Sequence, residues 1–133
     1  MNNLIIKESL DTPAISFDAT RNILELSGKS FPEDAPVFYA PVLEWLHEYL
    51  AQVDEDDEVL VNFDLCYYNS MSNRKILDII EMLNDKAFND AIAIDLNWIY
   101  EEDSDGVRES GEAFQEDYRA IVFNLVEKPF EEE

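Results

Sequence analysis

The chain has 133 residues, 47% of them hydrophobic and 12% aromatic, which is enough for one domain with a buried core. Its 31 acidic residues against nine Lys and Arg give a net charge of −22, and such a surface repels nucleic acid and anionic membranes. One cysteine cannot form an internal disulfide, and no apolar run is long enough to span a membrane. We therefore expect residues 1–133 to form a single cytoplasmic domain whose acidic surface suits protein partners.

The first third of the chain predicts a β-hairpin followed by a helix. Apolar residues alternate in "PAISFD" and again in "ILELSG", and the intervening "ATRN" has the composition of a turn. The stretch "FPEDAP" then contains residues typical of a helix start, with Asp34 as the cap and Pro36 in the first turn. Apolar residues at a spacing of three to four continue this helix to Val53.

The rest of the chain alternates strands and helices. "EVLVNFDLCYY" predicts a strand, "SNRKILDIIEMLND" an amphipathic helix and "AIAIDLNWIY" another strand. "GVRESGEAFQEDY" predicts a helix weakened by Gly111, and "AIVFNLV" is the last predicted strand. The acidic runs at 54–58, 101–106 and 131–133 are predicted to be solvated turns and a tail.

The phase of the strands predicts how the layers are arranged. Each of the three later strands has one apolar face and one face that carries polar side chains. In the strand "EVLVNFDLCYY" the alternation assigns Tyr67 to the apolar face and Tyr68 to the mixed face. This pattern favours a two-layer α/β sandwich, with a mixed sheet of about five to six strands and helices mainly on one face. A three-layer fold would need strands that are apolar on both faces.

Sequence motifs of the common enzyme classes are absent. There is no G-x-x-x-x-G-K-[ST], no G-x-G-x-x-G and no G-x-S-x-G. His47 has no nucleophile near it in a helical pattern, and Cys66 lies in an apolar strand, so both are predicted to be structural. Asp64 and Asp95 could converge on the open sheet face, where carboxylate oxygens suit Mg²⁺ or Ca²⁺. A metal-dependent enzyme or ligand sensor is therefore the alternative hypothesis.

The junction "YYNSMSNRK" at 67–75 is the best candidate for a functional site. A strand passes into a helix there, so the first amides of the helix lack backbone partners. Asn69 or Ser70 could cap these amides, which would also accommodate a phosphate on Ser70. From the residues alone, a plain helix cap and a modifiable hydroxyl both remain open.

The chain also resembles a known family over most of its length. The resemblance is carried by "TPAISFDATRNILELSGKSFPEDAPVFYAPVLEWLHEYL" at 12–50, "FDLCYYNSMSNRKILDIIEML" at 63–83 and "WIYEEDSDGVRESGEAF" at 98–114. In this order the segments are similar to the SiaC-type family of bacterial regulatory phosphoproteins. The resemblance implies a fold like that of STAS domains, the anti-sigma-factor antagonists. It also leads us to expect no enzymatic activity, no cofactor and no resident metal.

The same resemblance implies a switch based on phosphorylation. Members carry the acceptor hydroxyl in a "Y-[FY]-N-[ST]-x-S" motif, which reads "YYNSMS" here and implies Ser70 as the acceptor, with Ser72 as the alternative. The implied partners are a serine/threonine kinase, a metal-dependent phosphatase and an output protein such as a diguanylate cyclase, which links the family to cyclic-di-GMP and biofilm formation. The output protein would bind only the unphosphorylated form. The expected partner-binding residues are Tyr68, Asn69, Ser70, Met71, Ser72 and Arg74.

Overall fold

A computed structural model describes residues 1–130, which form six strands and three helices. The predicted tail at 131–133, and with it the end of the predicted single domain, lies outside the described residues. No helix within 1–130 is both long enough and apolar enough to cross a membrane. The strands are β1 (Leu4–Ile6), β2 (Ala14–Asp18), β3 (Ile23–Ser30), β4 (Glu58–Tyr68), β5 (Ala93–Glu101) and β6 (Val122–Lys128). The helices are α1 (Ala35–Gln52), α2 (Ser70–Asp90) and α3 (Asp105–Asp117).

The six strands form one sheet in which their order follows the chain, β1-β2-β3-β4-β5-β6. β2 is antiparallel to both β1 and β3, whereas β3, β4, β5 and β6 are parallel to one another. Each parallel connection contains one helix, as such crossovers require. All three helices therefore begin at one end of the sheet, which we call the helix-start end and define by the strand ends Ser30, Tyr68 and Glu101.

The helices cover one face of the sheet and leave the other open, which confirms the predicted two-layer arrangement. On β4, Val61 and Phe63 are buried, whereas their neighbours Asn62 and Asp64 are only half-buried. Burial of one strand face in this way is typical of a sheet covered by a single helical layer. The core between the layers is rich in aromatic residues, and its largest side chains are those of Trp98, Tyr39, Tyr49, Phe17 and Phe63.

Gly111, which the sequence marks as a weak point of α3, has a packing role. A Cβ atom at this position would lie 2.6 Å from Trp98 Nε1 and 2.8 Å from Leu125 Cδ2, inside van der Waals contact. The Trp98 indole also donates a hydrogen bond to the carbonyl oxygen of Val107 at 2.9 Å. The missing side chain of Gly111 is therefore what lets α3 approach β5 closely.

A β-bulge interrupts the pairing of β3 and β4 near the helix-start end. Gly28 pairs with Leu65 and Lys29 pairs with Tyr67, so that Cys66 is an extra residue on β4. Gly28 has a φ of 104°, a left-handed conformation that glycine adopts without strain. One extra residue reverses the period-two alternation of every residue that follows it in the strand.

The bulge makes the predicted faces of Tyr67 and Tyr68 wrong. Tyr68 pairs with the buried Ser30 and packs edge-on against buried Trp98, with ring centroids 6.2 Å apart, on the helix-covered face. Tyr67 is half-exposed and contacts Phe31 instead, at a centroid distance of 5.7 Å. The sequence predicts the reverse placement, because unbroken alternation along the strand puts Tyr67 on the apolar face and Tyr68 on the mixed face.

Candidate phosphorylation site at the start of helix α2

Helix α2 begins at Ser70 and is capped by the residue before it. The Asn69 backbone is extended, and its side-chain oxygen Oδ1 accepts a hydrogen bond from the Ser72 amide at 2.9 Å. This is the ordinary geometry of an asparagine N-cap. Of the two predicted caps, Asn69 therefore takes the role, and the exposed Ser70 side chain lies outside the capping interaction.

The two candidate acceptor hydroxyls differ sharply in accessibility. Ser70 is exposed, whereas Ser72 is completely buried. A kinase must bring ATP to the acceptor oxygen, so Ser72 could react only after the first turn of α2 opens. The geometry therefore favours Ser70.

Ser72 belongs to a buried group of three hydroxyls, which we call the hydroxyl network and define as Ser30, Tyr39 and Ser72. The Ser30 hydroxyl donates to Ser72 Oγ at 2.8 Å, and Ser30 Oγ lies 2.6 Å from the Tyr39 hydroxyl. Burial raises the pKa of Tyr39 to about 12, although its hydrogen bond with Ser30 opposes part of that rise. Tyr39 thus keeps its proton at physiological pH, and the network joins β3 and α1 to the first turn of α2.

The remaining predicted partner-binding residues lie in different environments. Met71 is 53% exposed, and Arg74 is exposed with its Nε 3.6 Å from Asp78 Oδ1. Tyr68 is half-buried, and burial raises the pKa of its hydroxyl. That hydroxyl lies near Ser110, which lowers the pKa in part, but makes no well-aligned hydrogen bond to any described residue.

Further exposed apolar side chains occur at the helix-start end, and sequence reasoning did not select them. Leu10 is 89% exposed, Val37 68% and Tyr67 50%. Leu10 is placed at this end by the next residue, Asp11, whose carbonyl oxygen accepts a hydrogen bond from the Phe31 amide at 2.8 Å. Phe31 is the first residue after β3. Exposed apolar residues at one end of an acidic domain are typical of a surface that binds another protein. For Tyr67 the reason is the bulge, which turns its side chain outward, against the alternation that the sequence shows.

The predicted convergence of Asp64 and Asp95 is wrong. Asp64 pairs with Ile99 and Asp95 pairs with Leu60, so the two carboxylates are separated by four positions along adjacent strands. Asp64 Oδ1 is instead 2.7 Å from Lys128 Nζ. Among residues 1–130 no three His, Cys, Asp or Glu side chains are grouped so that they could hold a metal ion. This geometry does not support the alternative hypothesis of a metal-dependent enzyme or sensor.

Comparison with known proteins assigns the chain to a family. The family model described as SiaC family regulatory phosphoprotein matches residues 6–128. The chain belongs to the SiaC family. It is also 30% identical over 117 residues to an uncharacterized protein of Pseudomonas aeruginosa (strain UCBPP-PA14). That alignment covers 88% of this chain and 90% of the other protein. The resemblance inferred from the sequence is thereby confirmed, whereas the likeness to STAS domains stays a prediction.

Solved structures of SiaC from Pseudomonas aeruginosa have the same fold as this SiaC family chain. The apo form aligns with a TM-score of 0.80 at 26% identity, over 96% of this chain and 99% of that one. A second structure contains SiaC as the activator in a complex with the diguanylate cyclase SiaD, and aligns with a TM-score of 0.85 at 26% identity. That alignment covers 94% of this chain and 99% of the other.

Proposed function

We propose that this chain is a non-enzymatic binding protein of the cytoplasm that is switched by phosphorylation of Ser70. The unphosphorylated form binds and activates an output protein, and the phosphorylated form does not. The observation that carries the proposal is the exposed hydroxyl of Ser70 at the first position of α2, in a chain of a regulatory phosphoprotein family. A serine/threonine kinase and a metal-dependent phosphatase would add and remove the phosphate.

The output protein proposed here is a diguanylate cyclase. SiaC from Pseudomonas aeruginosa, which shares this fold, is described as the activator of the diguanylate cyclase SiaD. By this analogy the chain would control cyclic-di-GMP synthesis and biofilm formation. The net charge of −22 fits a basic docking surface on the partner.

The phosphate would act through charge and hydration at the interface. It adds roughly −1.5 to −2 charges to a surface that includes exposed Met71 and Tyr67. Burying that surface against a partner would strip water from the phosphate, which is costly unless the partner supplies cations. A loss of about 3 kcal/mol in binding free energy corresponds to a roughly hundredfold weaker affinity, which is enough for a switch.

Arg74 would respond to the same phosphate. It lies one helical turn after Ser70, the spacing at which side chains on a helix meet. Its present partner Asp78 is half-buried and 3.6 Å away, but Arg74 itself is exposed, so solvent screens this ion pair and it contributes little. A phosphate on Ser70 would therefore compete with Asp78 for the guanidinium and remove Arg74 from the partner's reach.

Binding measurements with charge variants test this function. Unmodified protein and Ser70→Ala should bind the diguanylate cyclase of the same bacterium with equal affinity and stimulate cyclic-di-GMP synthesis. Ser70→Glu should bind at least about tenfold more weakly, because it mimics only part of the phosphate charge. Ser104→Glu is the matched control, since Ser104 precedes α3 at the same end of the sheet. Equal affinity for all four proteins would refute the proposal.

The modification itself is tested by intact-mass measurement of protein purified from its native bacterium. We expect a species heavier by about 80 Da, the mass that one phosphoryl group adds to a serine, in the unmodified sequence and in Ser72→Ala. Ser70→Ala should lack it. A heavier species that persists in Ser70→Ala and disappears in Ser72→Ala would assign the acceptor to Ser72 instead.

A further inference from the structure

The hydroxyl network is unusual because it places hydroxyl groups in the core. Within residues 1–130, Ser30 and Ser72 are the two buried polar residues outside the aromatic class, and both are fully buried. A buried hydroxyl must find a hydrogen-bond partner, since leaving it unpaired costs free energy. Here Ser30 and Ser72 pair with each other and Ser30 also contacts Tyr39. Apolar residues could fill this space without any such requirement, so the polar cluster calls for an explanation.

Ser30 of the network contacts one residue before the acceptor Ser70 and one residue after it. On one side of Ser70, the Asn69 amide donates to the carbonyl oxygen of Ser30 at 3.1 Å. On the other side, the Ser72 hydroxyl accepts from the hydroxyl of the same Ser30 at 2.8 Å. The Asn69 side chain closes the turn by accepting from the Ser72 amide at 2.9 Å. One residue of β3 thus fixes the backbone immediately before and shortly after Ser70.

Tyr39 extends this attachment to a second helix. It belongs to α1, its ring is fully buried, and its hydroxyl lies 2.6 Å from Ser30 Oγ. Because Ser30 donates to Ser72, the Tyr39 hydroxyl supplies the proton of its own contact with Ser30. The chain of hydrogen bonds therefore runs from α1 through β3 to the first turn of α2.

We infer that Ser30, Tyr39 and Ser72 are positioning residues, which hold the first turn of α2 so that Ser70 is presented to its kinase in one conformation. This inference rests on the proposed function, because it assigns the network a role in the phosphorylation of Ser70. The hydroxyl network touches neither the kinase nor ATP and acts through the backbone of residues 69–72. Removing one hydroxyl should therefore slow phosphoryl transfer to Ser70 without removing the surface that the kinase binds.

The chain provides a matched control in Tyr49, at the other end of α1. Its side chain is also buried, and its hydroxyl donates to Asn22 Oδ1 at 2.7 Å. Tyr49→Phe therefore removes one buried tyrosine hydroxyl and one hydrogen bond, as Tyr39→Phe does, but far from Ser70. Both substitutions keep the aromatic ring and should leave the core packed.

The first experiment is amide hydrogen exchange on the isolated protein. Tyr39→Phe should speed exchange in residues 70–73 by about fivefold, the effect of losing one net hydrogen bond, and leave the hairpin turn at 19–22 unchanged. Tyr49→Phe should give the reverse pattern. Equal exchange at residues 70–73 in the two variants would overturn the inference.

The second experiment measures phosphorylation of Ser70. The kinase source is an extract of the native bacterium supplied with ATP and Mg²⁺. The phosphorylated product is quantified by intact mass at a series of concentrations of the substrate protein. Tyr39→Phe and Ser30→Ala should lower the maximal rate by about fivefold with an unchanged KM, whereas Tyr49→Phe should match the unmodified sequence. In the double variant Tyr39→Phe/Ser72→Ala the maximal rate should fall by less than the product of the two single fold-changes, because both substitutions act through Ser30.

The outcomes separate this inference from the proposed function. If the unmodified sequence gains no phosphate on Ser70, the proposed function fails, and the inference fails with it. If Ser70 is phosphorylated but Tyr39→Phe and Tyr49→Phe give the same maximal rate, the inference alone fails. A faster rate in Tyr39→Phe would also overturn it, since the network would then restrain Ser70 rather than present it.

Discussion

The two ends of helix α1 each carry a buried tyrosine whose hydroxyl is hydrogen-bonded, yet the two contacts serve different parts of the molecule. Tyr39 contacts Ser30 at 2.6 Å, and through it the start of α2. Tyr49 donates to Asn22 at 2.7 Å, in the turn between β2 and β3 where the backbone has a φ of 57°. In each contact a buried tyrosine hydroxyl makes one hydrogen bond, to a serine hydroxyl for Tyr39 and to an asparagine side-chain oxygen for Tyr49. What differs is the segment attached to the acceptor, which is the candidate site in one case and a hairpin turn in the other.

The largest expected effect tests whether the helix-start end depends on close packing of α3. Gly111→Ala should destabilise the fold by about 3 kcal/mol through overpacking, although alanine favours a helix by up to about 1 kcal/mol. The cause is the clash of the new Cβ with Trp98, which supports Tyr68 next to the cap of α2. Urea unfolding measures the change.

Gly106→Ala is the control for this prediction. Gly106 lies in the same helix, and a Cβ there would have no atom within 4 Å. This substitution should leave the stability unchanged or raise it by up to about 1 kcal/mol. A loss of similar size in both variants would show that α3 tolerates no added side chain for reasons other than contact with Trp98.

A pH titration should show the two tyrosines behaving alike. Burial raises the pKa of Tyr39 from 10.0 to about 12, and burial together with Asp57 raises the pKa of Tyr49. Below pH 10 both tyrosines are protonated in the folded and the unfolded state, so their full contribution to stability is present. Between pH 10 and about 12 only the unfolded state releases these protons, so the free energy of unfolding falls by about 2 kcal/mol for Tyr39.

Either single Phe substitution should reduce this alkaline loss of stability, as followed by urea unfolding at pH 9 and pH 11. The titration therefore tests the burial of the two tyrosines, which is the same at both ends of α1. Hydrogen exchange and phosphorylation of Ser70 test which segment each tyrosine is hydrogen-bonded to, and this differs between the ends. An unchanged pH dependence in Tyr39→Phe would contradict the assignment of Tyr39 as a fully buried, protonated group.

Two asparagines extend the comparison to helix α2, with a smaller effect. Asn69 accepts from the Ser72 amide at the start of the helix, and Asn84 accepts from the amides of Ala120 and Ile121 near the start of β6. Replacing either by Ala should cost about 1 kcal/mol. Hydrogen exchange should locate the loss at residues 70–73 for Asn69→Ala and at 120–121 for Asn84→Ala. Faster exchange at both places in either variant would mean that the two ends are coupled.

The smallest expected effect concerns the ion pairs at the two ends of α2. Arg74 pairs with Asp78 near the start, and Lys86 pairs with Asp90 at the end. Arg74→Gln and Lys86→Gln should each change the stability by less than about 0.5 kcal/mol, because one partner of each pair is exposed and solvent screens the interaction. After phosphorylation of Ser70 only Arg74→Gln should lower the melting temperature relative to the parent. The same shift for Lys86→Gln would argue against a contact between Arg74 and the phosphate.

Much of the fold could be predicted from periodicity, because most strands are buried on one face only. The hairpin, the three helices and the later strands follow from alternation and from capping residues such as Asp34, whose side chain accepts from the Val37 amide at 3.2 Å. The strand β1 could not be predicted, since three residues are too few to show alternation. The bulge at Cys66 could not be predicted either, because it depends on how β4 pairs with Gly28 of β3.

The candidate site was predictable only in part. Ser70 follows from the motif and from its position at the junction of strand and helix. The burial of Ser72 had a signal in the sequence, since it precedes Ile76 and Ile80 at intervals of four on the apolar face of α2. The contact of Ser72 with Ser30 had no signal in the sequence, because the two serines are 42 positions apart and serine is not expected in a core.

The strand order has a consequence for synthesis of the protein. Because each strand lies beside the one that precedes it in the chain, no later segment has to be inserted between strands that have already paired. A polypeptide leaving the ribosome could close the β2–β3 hairpin first and then add one helix and one strand at a time to the growing edge. Every such step joins segments that are near in sequence, which keeps the entropy cost of each loop closure low. Translation and assembly can therefore advance in the same direction, from the first strand to the last.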